Sequence, residues 1–392
     1  MRRDNPPHCP LPPAPRLRLA ARDAGDRGRV QTALVVGRDD PRRDGVADYV
    51  HRLAAHLPAY GVQSVVVEAG GRVGAAAREL ARLRPDVVHV QVAPSSYGFS
   101  PVVGLLPSLV AAPVVTTLHE YGWWAWPATV PDRVWRPLER AGLWDRETGR
   151  LTTAARQVLA TTPGHARAVE QRMRVPARIV PIGPNVERIP ADRRATRREL
   201  HLPEHAPVVV FFGFVHPVKG VRWLLRAVAA LRAARHPDLR LLVAGGFESL
   251  ALPGREAADF EAELRDDVRD LGLQDAVTIT GWLPADRVSA LLQAVDVAAL
   301  PFTAGLSTKS GSLLAVLDHD LPLVGTRGPG TEPALEGAAL LGPVRESQVL
   351  ATNLDLALTG RAPAGGRALA DAHSWDAVAK AHAEVYEAVQ PL

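Results

Sequence analysis

The chain has 392 residues, 47% of them hydrophobic, and a formal net charge of +4 at pH 7. This length is large for one domain and sufficient for two, each with its own buried core. Seven Arg and three Asp in residues 1–30 account for the whole net charge, so the rest of the chain is neutral and a nucleic-acid partner is not expected.

Residues 1–30 are rich in Pro and Arg and contain no apolar segment that could serve as a secretion signal. They predict a disordered tail, with a weak amphipathic anchor or an upstream start codon as alternatives. The single cysteine, Cys9, lies in this tail, which excludes an intramolecular disulfide and a cysteine-based metal cluster. The longest apolar run, 101–115, is shorter than the roughly 20 residues of a membrane span. We therefore expect a cytoplasmic protein with at most peripheral membrane contact.

In residues 31–186, short β-branched runs alternate with helical patterns. The runs are typical of buried parallel strands and lie at 33–37, 63–68, 86–91, 112–119 and 157–162. Between the first two runs, apolar residues recur at helical spacing, at Val46, Tyr49, Val50, Leu53 and Leu57. Strands separated by helices predict a doubly wound, Rossmann-like parallel sheet of the α/β class.

A second set of the same kind follows a break in the pattern. Residues 187–206 are charged and contain proline, which predicts a linker. Strands are then predicted at 207–213, 239–245, 276–281, 295–301 and 321–326, with helices between them, one of them near 285–295. The two sets predict two Rossmann-like domains, 31–186 and 207–374, that face a cleft. Ligands of such sheets bind outside the carboxyl ends of the strands.

Lysine is rare in this chain, since only three of the 46 basic residues are lysines: Lys219, Lys309 and Lys380. Lys219 and Lys309 follow predicted strands and lie beside helix starts, whereas Lys380 lies on a predicted C-terminal helix. An ammonium group binds phosphate as a point charge, and a helix N-terminus also favours anions. Two such sites in one domain fit a diphosphate. The alternative is that both lysines are incidental surface residues.

Small and polar residues surround these two lysines. Gly213 and His216 precede Lys219 in the loop after the first strand of the second domain. The residues around Lys309 are Ser307, Thr308, Ser310, Gly311 and Ser312. Neither loop is a Walker motif or a G-x-G-x-x-G fingerprint, which counts against ATP hydrolysis and against NAD.

The loops of the first domain carry further candidates. Gly45 follows Asp44 at a helix start, where a ligand could approach the backbone amides, although a simple turn is the alternative. His119 and Glu120 come directly after a buried strand, which favours a role in a site. The sequence contains no Asp-x-Asp after a strand and no pair of His at ligand spacing, so it does not require a metal ion.

Aromatic and polar residues of the first domain indicate an acceptor site. Trp123, Trp124 and Trp126 predict either a stacking platform for a sugar or ring-bearing acceptor, or a loop sealed onto the domain. The candidate acceptor-binding residues are Asp44, Gln91, Tyr97, Glu120, Trp123 and Trp124. The acceptor is expected to be a small molecule, a saccharide or a glycolipid headgroup.

The order of these segments resembles glycosyltransferase family 4 of the GT-B architecture. The similar segments, spread over residues 32–388, are GVADYVHRLAAHL, DVVHVQ, VVTTLHEY, IVPIGPNV, FFGFVHPVKG, LLVAGG, VTITGWLP, VDVAALPF, LLAVLDHDLPLV and SWDAVAKAHAEVY. The resemblance implies retaining transfer of a sugar from a nucleotide-diphosphate sugar, with UDP or GDP favoured, in the cleft and without a metal or other cofactor. It also implies that the last helix, 375–392, crosses back to complete the first domain.

The resemblance assigns roles to individual residues. Gly45 matches the glycine loop beside the diphosphate, His119 matches a histidine beside the transferred sugar, and Lys219 matches the lysine that neutralises the leaving diphosphate. Phe214 stands where the family usually has an Arg, and His216 is expected to replace part of that charge.

The chain also departs from the family at two glutamates. Their positions fall on Ser307 and Ala315, so both carboxylates are missing. Asp318 is expected to reach the ribose instead, and Lys309 is expected to take a larger share of the diphosphate.

Three hypotheses therefore compete. A retaining sugar-nucleotide glycosyltransferase leads. Epimerisation or phosphorolysis would require acid–base groups or a cofactor site that the sequence does not show. A catalytically silent homologue that acts as a binding or partner subunit is suggested by the missing glutamates. The sequence does not predict an oligomeric state.

Overall fold

Two parallel sheets of six strands each organise the chain, which confirms the predicted pair of doubly wound α/β domains. The computed structural model describes residues 30–125, 129–249, 252 and 254–390. Residues 1–29 of the predicted tail, with Cys9, as well as Trp126 and the last two residues of the predicted C-terminal helix, lie outside the described residues.

The first sheet has the strand order β2-β1-β3-β4-β5-β6. Its strands are β1 (Val30–Val36), β2 (Val62–Glu68), β3 (Val87–Val92), β4 (Val114–Leu118), β5 (Gln157–Ala160) and β6 (Ala177–Ile179). The second sheet has the order β12-β11-β10-β7-β8-β9. Its strands are β7 (Val208–Phe212), β8 (Arg240–Ala244), β9 (Val277–Gly281), β10 (Val297–Leu300), β11 (Leu323–Arg327) and β12 (Leu340–Pro343).

Helices connect the strands and cover both faces of each sheet. They are α1 (Gly45–His56), α2 (Val73–Leu83), α3 (Asp132–Arg140), α4 (Pro163–Met173), α5 (Arg193–Glu199), α6 (Val221–Ala234), α7 (Gly254–Asp270), α8 (Ala285–Ala294), α9 (Gly311–Asp318), α10 (Ser347–Leu358), α11 (Gly366–Ala372) and α12 (Trp375–Val389). The central strands β1, β3, β4, β7 and β10 are buried along their whole length, which explains their continuous apolar runs.

The ten predicted strands all form, with ends that differ by up to three residues. The edge strands β6 and β12 were not predicted, because they have only three and four residues and are partly exposed. A short edge strand carries too few buried residues to produce a hydrophobic pattern.

The strand order reverses once in each sheet and fixes where ligands can bind. In the first sheet the reversal lies between β1 and β3, and in the second between β7 and β10. The loops that follow these strands diverge at the carboxyl ends and leave a crevice between them. The predicted site residues, except Gln91 inside β3 and Asp318 at the end of α9, lie on loops or helix starts at carboxyl ends of strands.

Helix α12 ends the described chain and packs on the first domain, against α1 and β1. The indole Nε1 of Trp375 donates a hydrogen bond to the carbonyl oxygen of Pro184 at 2.8 Å. The side chain of Tyr386 is fully buried, and its hydroxyl lies 2.6 Å from Nδ1 of His89 on β3. The last helix is therefore part of the first domain's core.

The segment 187–206, predicted as a linker, contains α5 and packs against α8 of the second domain. The guanidinium of Arg197 is buried and donates hydrogen bonds to the carbonyl oxygens of Ala294 at 3.1 Å and Pro203 at 2.9 Å. Arg197 thus joins this segment to α8 by satisfying a backbone carbonyl group of each. No helix in the described part of the chain has the length and apolar character that crossing a membrane requires.

The buried His382 of α12 makes the free energy of unfolding depend on pH. Burial lowers the pKa of His382 to about 4, whereas an unfolded histidine has a pKa near 6.5. Between pH 7 and pH 5 the unfolded chain therefore binds a proton that the folded chain does not. The free energy of unfolding decreases as the pH is lowered over this range. We predict that this fall is smaller in His382→Gln than in the unsubstituted protein, as measured by urea unfolding at both pH values. Equal falls would contradict the buried neutral state of His382.

Candidate active site

Two neighbouring loops of the second domain form the floor of the site. Lys219 ends a short turn, Pro217–Lys219, after β7, and its Nζ lies 3.8 Å from the ring centroid of Phe302, which follows β10. The backbone N of Thr303 donates a hydrogen bond to the carbonyl oxygen of Val218 at 2.9 Å. The loops after β7 and β10 are thus fixed to each other at the point where the strand order reverses.

Two glycines allow this close approach. Gly220 has φ +73°, and a Cβ built there would lie 1.9 Å from the carbonyl oxygen of Pro301. Gly213 has φ +132°, and a Cβ there would lie 2.6 Å from Oγ of Ser312. Both positions require glycine on conformation and on space. Gly213 therefore brings the start of α9 close to the end of β7.

The ammonium group of Lys219 packs on an aromatic ring and forms no ion pair within the part of the chain that the structure describes. None of the carboxylates in the described ranges lies within ion-pair distance of Lys219 or Lys309. Burial, and then the charge of Lys309, lower the pKa of Lys219 to about 8, and the charge of Glu120 opposes this shift. Lys309 is exposed at the start of α9. Two cations that repel each other across one crevice favour the binding of an anion between them.

The loop before α9 is held by a carboxylate that the sequence did not reveal. Glu332, in the loop after β11, accepts hydrogen bonds from Oγ of Ser307 at 3.0 Å and from Oγ1 of Thr308 at 2.9 Å. It also accepts from the backbone N of Thr308 at 3.2 Å. Ser310 caps α9 by accepting from the backbone N of Leu313 at 3.3 Å. Glu332 thereby orders the loop that carries Lys309.

In the first domain, Asp44 organises the start of α1. Its Oδ1 accepts a hydrogen bond from the backbone N of Val46 at 2.9 Å, and its Oδ2 accepts from Oγ of Ser96 at 2.6 Å. Burial raises the pKa of this carboxyl. Gly45 is exposed, and a Cβ there would meet nothing within 4 Å. The chain itself does not need a glycine at that position, which is consistent with space kept for a ligand.

His119 directly follows β4, at the carboxyl end of that strand. Its Nε2 lies 2.8 Å from Oε1 of Gln91, and its ring packs edge-on against Tyr49 with centroids 4.9 Å apart. Burial, and then the charge of His165, lower the pKa of His119 to about 3. The next residue, Glu120, is near enough to Lys219 to act on its pKa. The site is therefore assembled from both domains.

His165, in the first turn of α4, is a site residue that the sequence analysis missed. Burial, and then the positive charge of Lys309, lower its pKa to about 4. Its Nδ1 is buried and has no hydrogen-bond partner among the described residues. The signal was present in the sequence, because His165 follows a buried strand and opens a helix, just as other candidates do.

Several predicted acceptor residues have structural partners. Gln91 is fully buried, and its amide contacts His119 and also His89, with Nε2 of Gln91 3.0 Å from Nε2 of His89. Tyr97 is buried and donates its hydroxyl to the carbonyl oxygen of Gln91 at 3.0 Å. In contrast, Trp123 is 60% exposed and packs edge-on against Phe99.

The structure also gives contacts for three further predicted site residues, Trp124, His216 and Asp318. Trp124 is half-buried and also lies edge-on to Phe99. Nδ1 of His216 accepts a hydrogen bond from the backbone N of Val218 at 3.2 Å, which shapes the turn before Lys219. Asp318 lies at the opposite end of α9, where it accepts from the backbone N of Arg188 at 3.0 Å. The structure therefore does not group Asp318 with the residues at the start of α9.

The two domains also meet at the mouth and the base of the cleft. Arg43, after β1, forms an ion pair with Glu248, after β8, at 2.6 Å. At the base, the backbone N of Asn185 donates to the carbonyl oxygen of Gly311 at 3.3 Å. No group of three or more His, Cys, Asp or Glu within the described ranges is arranged to hold a metal ion.

The comparison with protein families gives a match to most of the second domain. The family model described as glycosyl transferases group 1 matches residues 206–359. A 2-deoxystreptamine glucosyltransferase of Streptomyces kanamyceticus is 30% identical over 303 residues, covering 73% of this chain and 73% of that protein. A D-inositol 3-phosphate glycosyltransferase of Stackebrandtia nassauensis is 38% identical over 115 residues, which span 29% of this chain but only 25% of that relative.

Solved structures match almost the whole chain. A sucrose-phosphate synthase from Thermosynechococcus elongatus superposes with a TM-score of 0.70 at 19% identity, covering 92% of this chain and 99% of that one. Anabaena HepE, in complex with UDP and glucose, superposes with a TM-score of 0.66 at 17% identity, covering 92% and 100%. At these identities the likeness shows the fold, which is the GT-B architecture.

The three lysines provide a direct test of the anion site. Lys219→Ala and Lys309→Ala are each predicted to weaken the binding of a nucleoside diphosphate tenfold or more, about 1.4 kcal/mol, because each removes a positive charge from the crevice. Lys380→Ala is the matched control, since Lys380 is exposed on α12, and it should change nothing. Isothermal titration calorimetry measures all three. Equal, negligible effects would remove the basis for the site.

Proposed function

The chain belongs to the group 1 family of glycosyl transferases, and we propose that it moves a sugar from a nucleotide-diphosphate sugar to an acceptor hydroxyl, with retention and without a metal ion. The observation that carries this proposal is the pair of ammonium groups at the β7/β10 crevice, Lys219 and Lys309. Each lies beside the N-terminus of a helix, and neither has a carboxylate counter-ion within the described ranges.

The diphosphate of the donor fits between these lysines. Each phosphate group would meet one ammonium group, and the backbone amides at the start of α9 add a partial positive charge. Binding of the anion would also relieve the repulsion that lowers the pKa of Lys219. Two protein cations would thus supply the charge that a divalent metal ion supplies in other transferases.

UDP or GDP is the proposed nucleotide of the donor. HepE, which shares the fold over 92% of this chain, was solved with UDP and glucose and also with UDP-glucose. The relative from Streptomyces kanamyceticus is named a 2-deoxystreptamine glucosyltransferase. A uridine-linked glucose is therefore the first donor to test.

Glu332 is proposed to compensate for one of the two missing glutamates. By resemblance, Ser307 occupies the position of a family glutamate, and the carboxylate of Glu332 is hydrogen-bonded to Ser307 itself. A carboxylate thus stands at the same loop although it comes from the loop after β11. Asp318 at the far end of α9 is a weaker candidate, because it is engaged with Arg188.

The transfer breaks the bond between C1 of the sugar and the diphosphate oxygen, and the diphosphate leaves with the electron pair. Lys219 and Lys309 stabilise that negative charge, and such preorganised contacts are each worth about 3 kcal/mol of barrier. The acceptor oxygen bonds to C1 on the face that the diphosphate leaves, and its proton passes to the departing diphosphate. His119, with a pKa of about 3, is too weak a base for that proton at pH 7 and instead orients a hydroxyl group through a hydrogen bond.

The acceptor is proposed to be a cyclitol or a related hydroxylated ring. The relatives are named for 2-deoxystreptamine and for D-inositol 3-phosphate, which are both six-membered carbocycles with several ring substituents. In this chain, Trp123 follows β4 of the first domain and its indole is 60% exposed. An aromatic face of this kind packs against the apolar side of a saturated ring. We place the reaction in the cytoplasm.

A thermal-shift screen tests the donor class. UDP, GDP, ADP, dTDP and their sugar conjugates are compared with and without magnesium. At a ligand concentration a thousandfold above Kd, the stabilisation is about 4 kcal/mol, which gives a clear rise in Tm. We predict a rise with UDP or GDP that magnesium does not change. No rise with any nucleotide would instead favour a catalytically silent homologue.

The dependence of donor binding on pH tests the role of Lys219. Its pKa is about 8, so the free protein loses this ammonium charge as the pH rises through 8, and donor affinity falls with it. We predict that KM for the donor rises between pH 7 and pH 9. In Lys219→Arg, where the guanidinium stays charged, the rise should be smaller. The same rise in both proteins would assign the titration to another group.

A further inference from the structure

A chain of buried polar side chains runs from His119 to the C-terminal helix. Oε1 of Gln91 lies 2.8 Å from Nε2 of His119, and Nε2 of the same amide lies 3.0 Å from Nε2 of His89. Nδ1 of His89 lies 2.6 Å from the hydroxyl of Tyr386 on α12. Gln91, His89 and Tyr386 are each fully buried, so water does not compete for these bonds.

His89 and His119 are both neutral. Burial, followed by the charges of His382 and His119, holds the pKa of His89 well below its ordinary value. Burial lowers the pKa of His119 to about 3. A neutral imidazole carries one N–H donor and one lone-pair acceptor, so each ring must choose which nitrogen holds its proton.

The amide of Gln91 contacts both rings and thereby couples their tautomers. Its Oε1 can only accept, so Nε2 of His119 holds the proton and donates it to Gln91. The amide Nε2 of Gln91 can only donate, so Nε2 of His89 accepts and carries the lone pair. The proton of His89 therefore lies on Nδ1 and is donated to the hydroxyl oxygen of Tyr386. Oγ1 of Thr117 lies 2.7 Å from Nε2 of His89, and its hydroxyl group shares that single lone pair with the Gln91 amide.

We propose that Tyr386, His89 and Gln91 act as positioning residues that hold His119 in the tautomer protonated on Nε2, so that its Nδ1 accepts a hydrogen bond from a substrate hydroxyl. Nδ1 of His119 has no hydrogen-bond partner within the described residues, and His119 itself is only partly buried. The substrate role of His119 rests on the proposed transferase function. The relay, meaning the hydrogen-bonded series Tyr386, His89, Gln91 and His119, does not depend on that function.

The relay gives α12 a chemical function in addition to its packing. Tyr386 is 297 positions from His89 in the sequence, and it enters the first domain only because α12 packs there. An α12 that detaches from the first domain would remove the acceptor for the His89 proton. Detachment of α12 would then change the protonated nitrogen of His119 through the side chains of His89 and Gln91.

The substitution Tyr386→Phe tests the relay with the loss of a single oxygen atom. Without that oxygen, the Nδ1 proton of His89 has no acceptor, and a buried unpaired donor is costly. His89 then moves its proton to Nε2, and the Gln91 amide turns its oxygen toward His89. Its NH₂ group now faces His119, which must accept and therefore moves its own proton to Nδ1.

Nitrogen NMR of the full chain labelled with ¹⁵N-histidine reads these tautomers directly, and His119→Gln assigns the His119 signal. We expect the Nε2-protonated pattern for His119 in the unsubstituted protein and the reversed pattern in Tyr386→Phe. Tyr49→Phe is the matched control, because it removes another buried hydroxyl, 3.4 Å from Nε2 of His382 and outside the relay. It should leave the His119 pattern unchanged. An Nδ1-protonated His119 at the start, or the same pattern in Tyr386→Phe, would overturn the proposal.

Gln91→Glu provides an independent test should Tyr386→Phe fail to fold. Both carboxylate oxygens accept hydrogen bonds, so His89 should switch its proton to Nε2 while His119 keeps its own on Nε2. An unchanged His89 signal contradicts the relay. This readout is independent of turnover and remains decisive even if no sugar transfer is found.

Kinetics separate positioning from folding. In Tyr386→Phe we expect kcat to fall at least tenfold while KM for the donor stays within twofold, because the lysine site is untouched. Normal transfer with an unchanged tautomer would reject the relay and leave the proposed function standing.

Discussion

The repulsion between two ammonium groups at one crevice is the constraint around which this structure is arranged. Lys219 and Lys309 are near enough for one to lower the pKa of the other, and Lys219 lies over the ring of Phe302 rather than against a carboxylate. Such an arrangement is unfavourable until an anion enters. The protein holds it in place with the close backbone contact at Gly220 and with the hydrogen bonds of Glu332 to the loop before α9.

The first domain adds two neutral histidines and the carboxylate of Glu120 to the site. His165 is near enough to Lys309 to feel its charge, and burial keeps both His165 and His119 uncharged, so they add no further repulsion to the crevice. The hydrogen bond between Asn185 and Gly311 joins the two domains at the base of the cleft. The second domain therefore supplies the two positive charges, and the first supplies histidines of fixed protonation, an arrangement that suits a reaction whose leaving group is an anion.

The fold was largely predictable from the sequence, because its central strands are buried on both faces and produce continuous apolar runs. The lysines were predictable because they stand out against a background of arginine. Glu332 was not, since its contact with Ser307 joins loops 25 residues apart and leaves no local pattern. Nor was the role of Gln91, whose position suggested a ligand contact although both ends of its amide bind histidines. Asp318 was predicted from helical spacing, which does not show that it lies at the opposite end of α9 from Ser310.

The three lysines allow one measurement that addresses the central claim. Lysine labelled with ¹³C at Cε gives three NMR signals for the whole chain, one each for Lys219, Lys309 and Lys380. On titration with UDP or GDP, the signals of Lys219 and Lys309 should shift together and saturate at the same ligand concentration, while that of Lys380 stays in place. If neither nucleotide moves the first two signals, or if all three move alike, the crevice is not a diphosphate site and the account is wrong.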